Sequence, residues 1–214
     1  MVGQLEAAIR EVDPRAAFCV LSDHGFAQVD HELNLNVAFV KEGLMTLNPK
    51  PTKKTSALLD WKAAPWIASG SAAILLKDPK DEAVRKKVQA LLQSLAANPE
   101  NGIDQILDSS AIAKLGGTPD AAFWVDMKAN FAIGSALTGP LTRPTPVHGT
   151  HGYSPTHPEL QASFLVTGPD IRKGLDLGAI DMRNVAPTLA MLLGIAFPDA
   201  PLPALPVLQP AGSR

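Results

Sequence analysis

An aspartate, a histidine and a glycine, Asp23-His24-Gly25, follow Ser22 at the end of the apolar run Ala17-Phe18-Cys19-Val20-Leu21. A carboxylate oxygen and an imidazole nitrogen are thereby set side by side where a buried strand opens into a loop. Strand ends of this kind are where α/β proteins place their chemistry, and the pair suits a divalent metal ion. Taken by itself the tripeptide also reads as a turn with a polar tip. The five histidines fall in two short regions, His24 and His31 in one and His148, His151 and His157 in the other. In Val147-His148-Gly149-Thr150-His151-Gly152-Tyr153 two histidines are each followed by glycine, whose backbone freedom lets an imidazole aim into a cleft. Neutral imidazole is a ready ligand for divalent metals. Two solvated loop histidines are the plainer reading. Joined to Asp23-His24, the same residues make a split metal site. Asp30, His31 and His157 read as solvated polar residues.

Composition narrows the class of protein. The chain has 214 residues, 46% hydrophobic and 19% charged, which is ample for a sizeable core. Its net charge is −2 and it has no long basic run, so no docking stripe for a nucleic-acid backbone or an anionic membrane is visible. The single cysteine, Cys19, cannot form an internal disulfide and reads as a small core hydrophobe. The N-terminus lacks the basic start and apolar stretch of a signal peptide. No run of about 18 apolar residues is present to span a bilayer. As written, the chain reads as cytoplasmic, with a periplasmic or secreted location expected if a signal peptide has been lost.

The elements that must position these residues follow from periodicity. Leu5, Ala8, Ile9 and Val12 share a helical face ended by Asp13-Pro14. Strands are expected at 16–21, 71–76, 123–127 and 162–167, the first and last buried near the centre of the sheet because both are nearly unbroken apolar runs. Helical spacing of Leu33, Val37, Val40 and Leu44 predicts a helix closed at Gly43. Residues 80–97 are amphipathic, with Val84, Val88, Leu91 and Leu95 inward. Further helices are expected over 103–114 and from Asn184 to Gly194. Residues 48–64 read as a surface loop, residues 134–158 as a long irregular segment of the kind that carries function, and residues 198–214 as a Pro-rich tail.

The combination of motifs resembles a known family. Ser22-Asp23-His24-Gly25-Phe26 and Gly149-Thr150-His151-Gly152-Tyr153 are similar to the two C-terminal metal motifs of the alkaline phosphatase superfamily, in particular its type I phosphodiesterase/nucleotide pyrophosphatase branch. Asn34-Leu35-Asn36 with Gly43-Leu44, Trp66 to Ala73, Phe164 to Pro169, and Asn184 to Gly194 resemble further pieces of that branch, in the same order. The resemblance implies an α/β fold, a mostly parallel sheet flanked by helices. Residues 1–197 would be the C-terminal part of one alkaline-phosphatase-like domain, with 64–140 as an added lobe.

The resemblance also implies chemistry. Asp23 and His24 would bind one metal ion and His151 the other, both ions being zinc in this branch; His148 would lie near the site. The substrate would be a small phosphate ester or nucleotide, cleaved at a phosphodiester or pyrophosphate bond. The family's nucleophilic Thr or Ser, and the Asp and His of its other ligand segment, have no counterpart here, so no catalytic nucleophile is assigned. The chain is therefore expected to lack the N-terminal half of the fold, to be weak or inactive alone, and to associate with that half or with a second copy. Two other readings stand beside it: a sulfatase or phosphoglycerate mutase branch, and a non-catalytic remnant acting as a binding module.

Overall fold

The computed structural model describes residues 1–52 and 56–210; residues 53–55 of the expected loop and 211–214 of the expected tail lie outside the described residues. The chain opens with helix α1 (Val2–Val12), strands β1 (Phe18–Leu21) and β2 (Ala27–Leu33), and helix α2 (Leu35–Lys41). Strands β3 (Met45–Leu47), β4 (Leu58–Trp61), β5 (Ala63–Ile67) and β6 (Ser71–Leu76) lead to helix α3 (Glu82–Ala96). Strand β7 (Ile103–Asp108), helix α4 (Ser109–Lys114) and strands β8 (Ala121–Met127), β9 (Asn130–Ile133) and β10 (Thr142–Thr150) follow. Strand β11 (Phe164–Thr167) and helix α5 (Val185–Leu193) complete the order. Contacts divide the chain into two units, residues 1–24 with 162–214, and residues 25–161.

In the first unit β1 and β11 pair antiparallel, from Phe18 opposite Thr167 to Leu21 opposite Phe164. Phe164 and Val166 pack on a small core of Ile171, Leu205 and Val207 together with Met191. Leu21 and Leu165 stay exposed, and α1 buries no residue. The Thr167 hydroxyl donates to the Glu6 carboxylate at 2.6 Å and Arg10 donates to it at 2.8 Å, which together hold Glu6 below the usual carboxylate range. Both strands are therefore half-exposed members of a two-stranded ribbon, where uninterrupted apolar runs had suggested buried central strands.

The second unit carries the main core. Its four-stranded sheet has the order β5-β6-β8-β7, every ladder antiparallel. On β6, Ala72, Ile74 and Leu76 join the core beneath Val88, Leu92 and Leu95 of α3, whereas Ala73 and Leu75 join a second cluster with Ile112 of α4. Asp81 caps α3 by accepting the Val84 N–H at 2.9 Å. A separate sheet runs β10-β2-β9, with β2 and β9 parallel and β2 and β10 antiparallel, and β3 pairs antiparallel with β4.

The expected mostly parallel sheet is thus wrong: β2–β9 is the one parallel ladder among the described residues. An apolar run such as Ser71-Ala72-Ala73-Ile74-Leu75-Leu76 records burial of both strand faces, and helices on the two sides of an antiparallel sheet produce that as readily as βαβ crossovers do. The short link Ala68-Ser69-Gly70 between β5 and β6 leaves room for a hairpin and nothing longer. Three local expectations also change. Residues 103–108 form β7 rather than helix, and α4 begins only where Asp108 accepts the Ala111 N–H at 2.9 Å. The expected loop over 48–64 contains β4, and the irregular segment contains β10. No helix among the described residues is long and apolar enough to cross a membrane.

Candidate metal centre

Asp23 and His24 lie immediately past β1, in the first unit. The backbone there is fixed by two bonds that extend the β1–β11 ribbon: Ser22 N–H donates to the Ser163 carbonyl at 3.0 Å, and Ser163 N–H donates to the Ser22 hydroxyl oxygen at 2.9 Å. Asp23 Oδ1 accepts the His24 N–H at 3.1 Å. The other carboxylate oxygen, Oδ2, lies 3.5 Å from His24 Nε2. Two ligands bound to zinc at roughly 2.0–2.1 Å in tetrahedral geometry are separated by about 3.4 Å. The spacing of these donors therefore fits two ligands of one ion. Asp23 is open to solvent and His24 about one-third exposed.

His151 lies one residue past β10, in the second unit, on a backbone gripped at successive residues. Its carbonyl accepts the Gly70 N–H at 2.9 Å. The Gly152 carbonyl accepts the Ser71 hydroxyl, and the Tyr153 hydroxyl donates to the Phe131 carbonyl at 2.7 Å. Gly152 has φ +86°, and a Cβ placed there would fall 1.8 Å from the Ala68 carbonyl oxygen. Burial, reinforced by the negative charges of Asp126 and Glu159, pushes the Tyr153 phenol up to about 12. The His151 ring stands edge-on to Phe26, with centroids 5.7 Å apart. His148 lies on β10 itself, exposed, with Nδ1 at 2.8 Å from the Pro146 carbonyl.

A third cluster was missed in the sequence. Asp126, on β8, is fully buried. Its Oδ1 accepts the Ser154 N–H at 2.8 Å, and its Oδ2 is met by Gln105 Nε2 at 3.2 Å and His157 Nε2 at 3.1 Å. Donor atoms of Asp104, Asp126 and His157 lie within 4.8 Å of one another, a set of types that can hold a divalent ion. The signal available in the sequence was an aspartate inside the apolar strand Phe123-Trp124-Val125-Asp126-Met127. His157 is accordingly a mostly buried partner of a carboxylate rather than a solvated residue. His31 is also engaged, 2.6 Å from Asp30 and stacked on Phe131 with centroids 5.2 Å apart.

The Asp-His turn after β1 and the histidine after β10 thus lie in separate units, each at the end of a strand. The family profile of type I phosphodiesterase / nucleotide pyrophosphatase matches residues 1–154, and the chain belongs to that family. Human ectonucleotide pyrophosphatase / phosphodiesterase 5 is similar at 19% identity, with a TM-score of 0.60 over 96% of this chain and 46% of its own. The murine protein gives 19% identity and a TM-score of 0.63 over 95% of this chain and 47% of its own. An inactive murine variant in complex with AMP gives 0.56 over 88% and 42%. The chain thus spans about half the length of the solved structures it matches. No curated protein matches by sequence.

Proposed function

We propose that this chain supplies metal ligands to a hydrolase of phosphodiester or pyrophosphate bonds, Asp23 and His24 holding one zinc ion and His151 a second, with His148 nearby. The observation that carries the reading is that both the Asp-His-Gly and the Gly-Thr-His-Gly-Tyr motifs fall within the 154 residues matched by the family profile. The 3.5 Å spacing of Asp23 Oδ2 and His24 Nε2 supports a shared ion. In this reading residues 1–197 correspond to the C-terminal half of the family fold, with 64–140 as an added lobe. The AMP held by the murine relative supports a nucleotide substrate.

Within such a site each residue has a defined task. Asp23 contributes an anionic oxygen, which offsets the charge of a dication. His24 and His151 contribute neutral nitrogen donors and must be unprotonated to do so. Divalent ions held by these residues would supply Lewis-acid chemistry, lowering the pKa of an attacking oxygen and offsetting charge on a transferring phosphoryl group. No Thr or Ser of this chain is assigned as nucleophile. With two assigned ligands for one ion and one for the other, both short of the three protein ligands usual at a zinc site, affinity and turnover are expected to be low.

The test is hydrolysis of bis-p-nitrophenyl phosphate and of p-nitrophenyl sulfate by the 214-residue chain in excess zinc, beside His151→Ala. No turnover, or slow diester cleavage that needs zinc and falls in the variant, is the expected result. Preference for the sulfate ester, or turnover indifferent to zinc, would contradict the reading.

A further inference from the structure

The segment that follows β10 is anchored residue by residue, with Tyr153 and Ser154 buried. His151, Gly152, Tyr153 and Ser154 each have a backbone or side-chain group bonded to Gly70, Ser71, Phe131 and Asp126 respectively. Asp126 differs from the other three anchors. It is a carboxylate with no exposure, on a strand flanked on both sides, with Ser71 and Gln105 as its cross-strand partners. A buried carboxylate is costly unless it is fully hydrogen-bonded, and removing it alone would leave the three donors that satisfy it without an acceptor. Two of the three donors that satisfy it, Ser154 N–H and His157 Nε2, come from the segment after His151. The His157 ring also lies against Tyr153, with centroids 5.2 Å apart.

We infer that Asp126 is a positioning residue for His151: its buried carboxylate ties residues 154 and 157 to the rigid β6-β8-β7 sheet and so fixes the backbone that presents the His151 imidazole. The inference rests on His151 being a metal ligand, and the task it gives the Asp126 carboxylate is to accept the three hydrogen bonds from Ser154, Gln105 and His157. Ligand imidazoles bind well only when their surroundings hold them close to the productive geometry. The anchor acts through the backbone, three residues from the ligand.

Two measurements on the full chain separate this inference from the reading beneath it. Amide hydrogen exchange is compared for residues 150–157 and for α2 and α3 in wild type, Asp126→Asn, Asp126→Ala and His157→Gln; zinc affinity is measured for the same proteins with His151→Ala and Asp104→Ala. Loss of a bond to a charged acceptor should speed exchange over 150–157 by about ten- to hundredfold in Asp126→Ala, leaving α2 and α3 protected. Asp126→Asn, which keeps an acceptor for Ser154 but turns an amide N–H toward Gln105 and His157, should show a smaller rise over 150–157 and bind zinc more weakly. Asp104→Ala should change neither. Unchanged exchange over 150–157 in Asp126→Ala overturns the inference. If Asp126→Ala loses protection everywhere, unchanged local exchange in both Asp126→Asn and His157→Gln overturns it instead. Zinc binding indifferent to His151→Ala would instead overturn the metal reading, while the exchange result still decides the role of Asp126.

Discussion

Gly152→Ala is a sharp perturbation because two separate costs meet at one atom. The residue sits at φ +86°, and its new Cβ would lie 1.8 Å from the Ala68 carbonyl oxygen. The left-handed conformation alone costs an L-residue about 1–2 kcal/mol. To reach an ordinary contact, the backbone of residue 152 or of the β5–β6 turn must then move by at least about 1 Å. The bonds exposed to that movement are Gly70 N–H to the His151 carbonyl and the Ser71 hydroxyl to the Gly152 carbonyl. Each contributes about 0.5–1.5 kcal/mol net, so the whole loss is about 2–5 kcal/mol. Gly116→Ala isolates the conformational part, since Gly116 has φ +71° and nothing within 4 Å of its would-be Cβ; it should cost about 1–2 kcal/mol. Urea denaturation of both variants gives the difference. Equal destabilisation by the two substitutions would refute the claim that the β5–β6 turn grips the His151 segment.

Other consequences are open to measurement. Tyr153 is the chain's sole tyrosine, so phenolate absorbance reports it directly; its midpoint should lie near 12 in the fold, against about 10 when unfolded. A phenol whose value is raised on folding contributes stability that is fully present below about pH 10 and lost as pH rises through 12. Tyr153→Phe should flatten that alkaline loss, and an unaltered pH dependence would count against the buried environment. Asp81→Ala removes the cap of α3 and should cost about 1 kcal/mol by thermal or urea denaturation; no measurable loss would show the cap to be idle. Leu92→Ala empties a fully buried position under β6 and should cost about 2–5 kcal/mol in the same assay, a loss under 1 kcal/mol indicating a surface position instead.

Legibility in the sequence followed the range of the interactions involved. Helix α3 announced itself because its apolar spacing and flanking charges are local: Val88 and Leu95 are buried as expected and Val84 and Leu91 partly so, while Leu92, which was not singled out, is buried as well. The Asp-His-Gly turn was legible for the same reason: it directly follows a strand whose apolar run is contiguous. Strand direction was not, because Ala72-Ala73-Ile74-Leu75 is buried on both faces whichever way its neighbours run. Residues 103–108 misled because Ile103, Ile106 and Leu107 also fit a helical spacing, and their pairing with β8 is decided by residues some twenty positions away. The Asp126–His157 contact joins residues 31 positions apart, and only the incongruity of a carboxylate inside an apolar strand hinted at it.

The central claim, that Asp23, His24 and His151 are metal ligands, is tested most directly by a zinc titration of the full chain followed calorimetrically. Wild type, His24→Ala, His151→Ala and Asp104→Ala would be compared at a pH where histidine is neutral. Zinc should bind weakly, and His24→Ala and His151→Ala should each diminish that binding while Asp104→Ala leaves it intact. Binding abolished by Asp104→Ala and untouched by the two histidine variants would contradict it, and would move the ion to Asp104, Asp126 and His157.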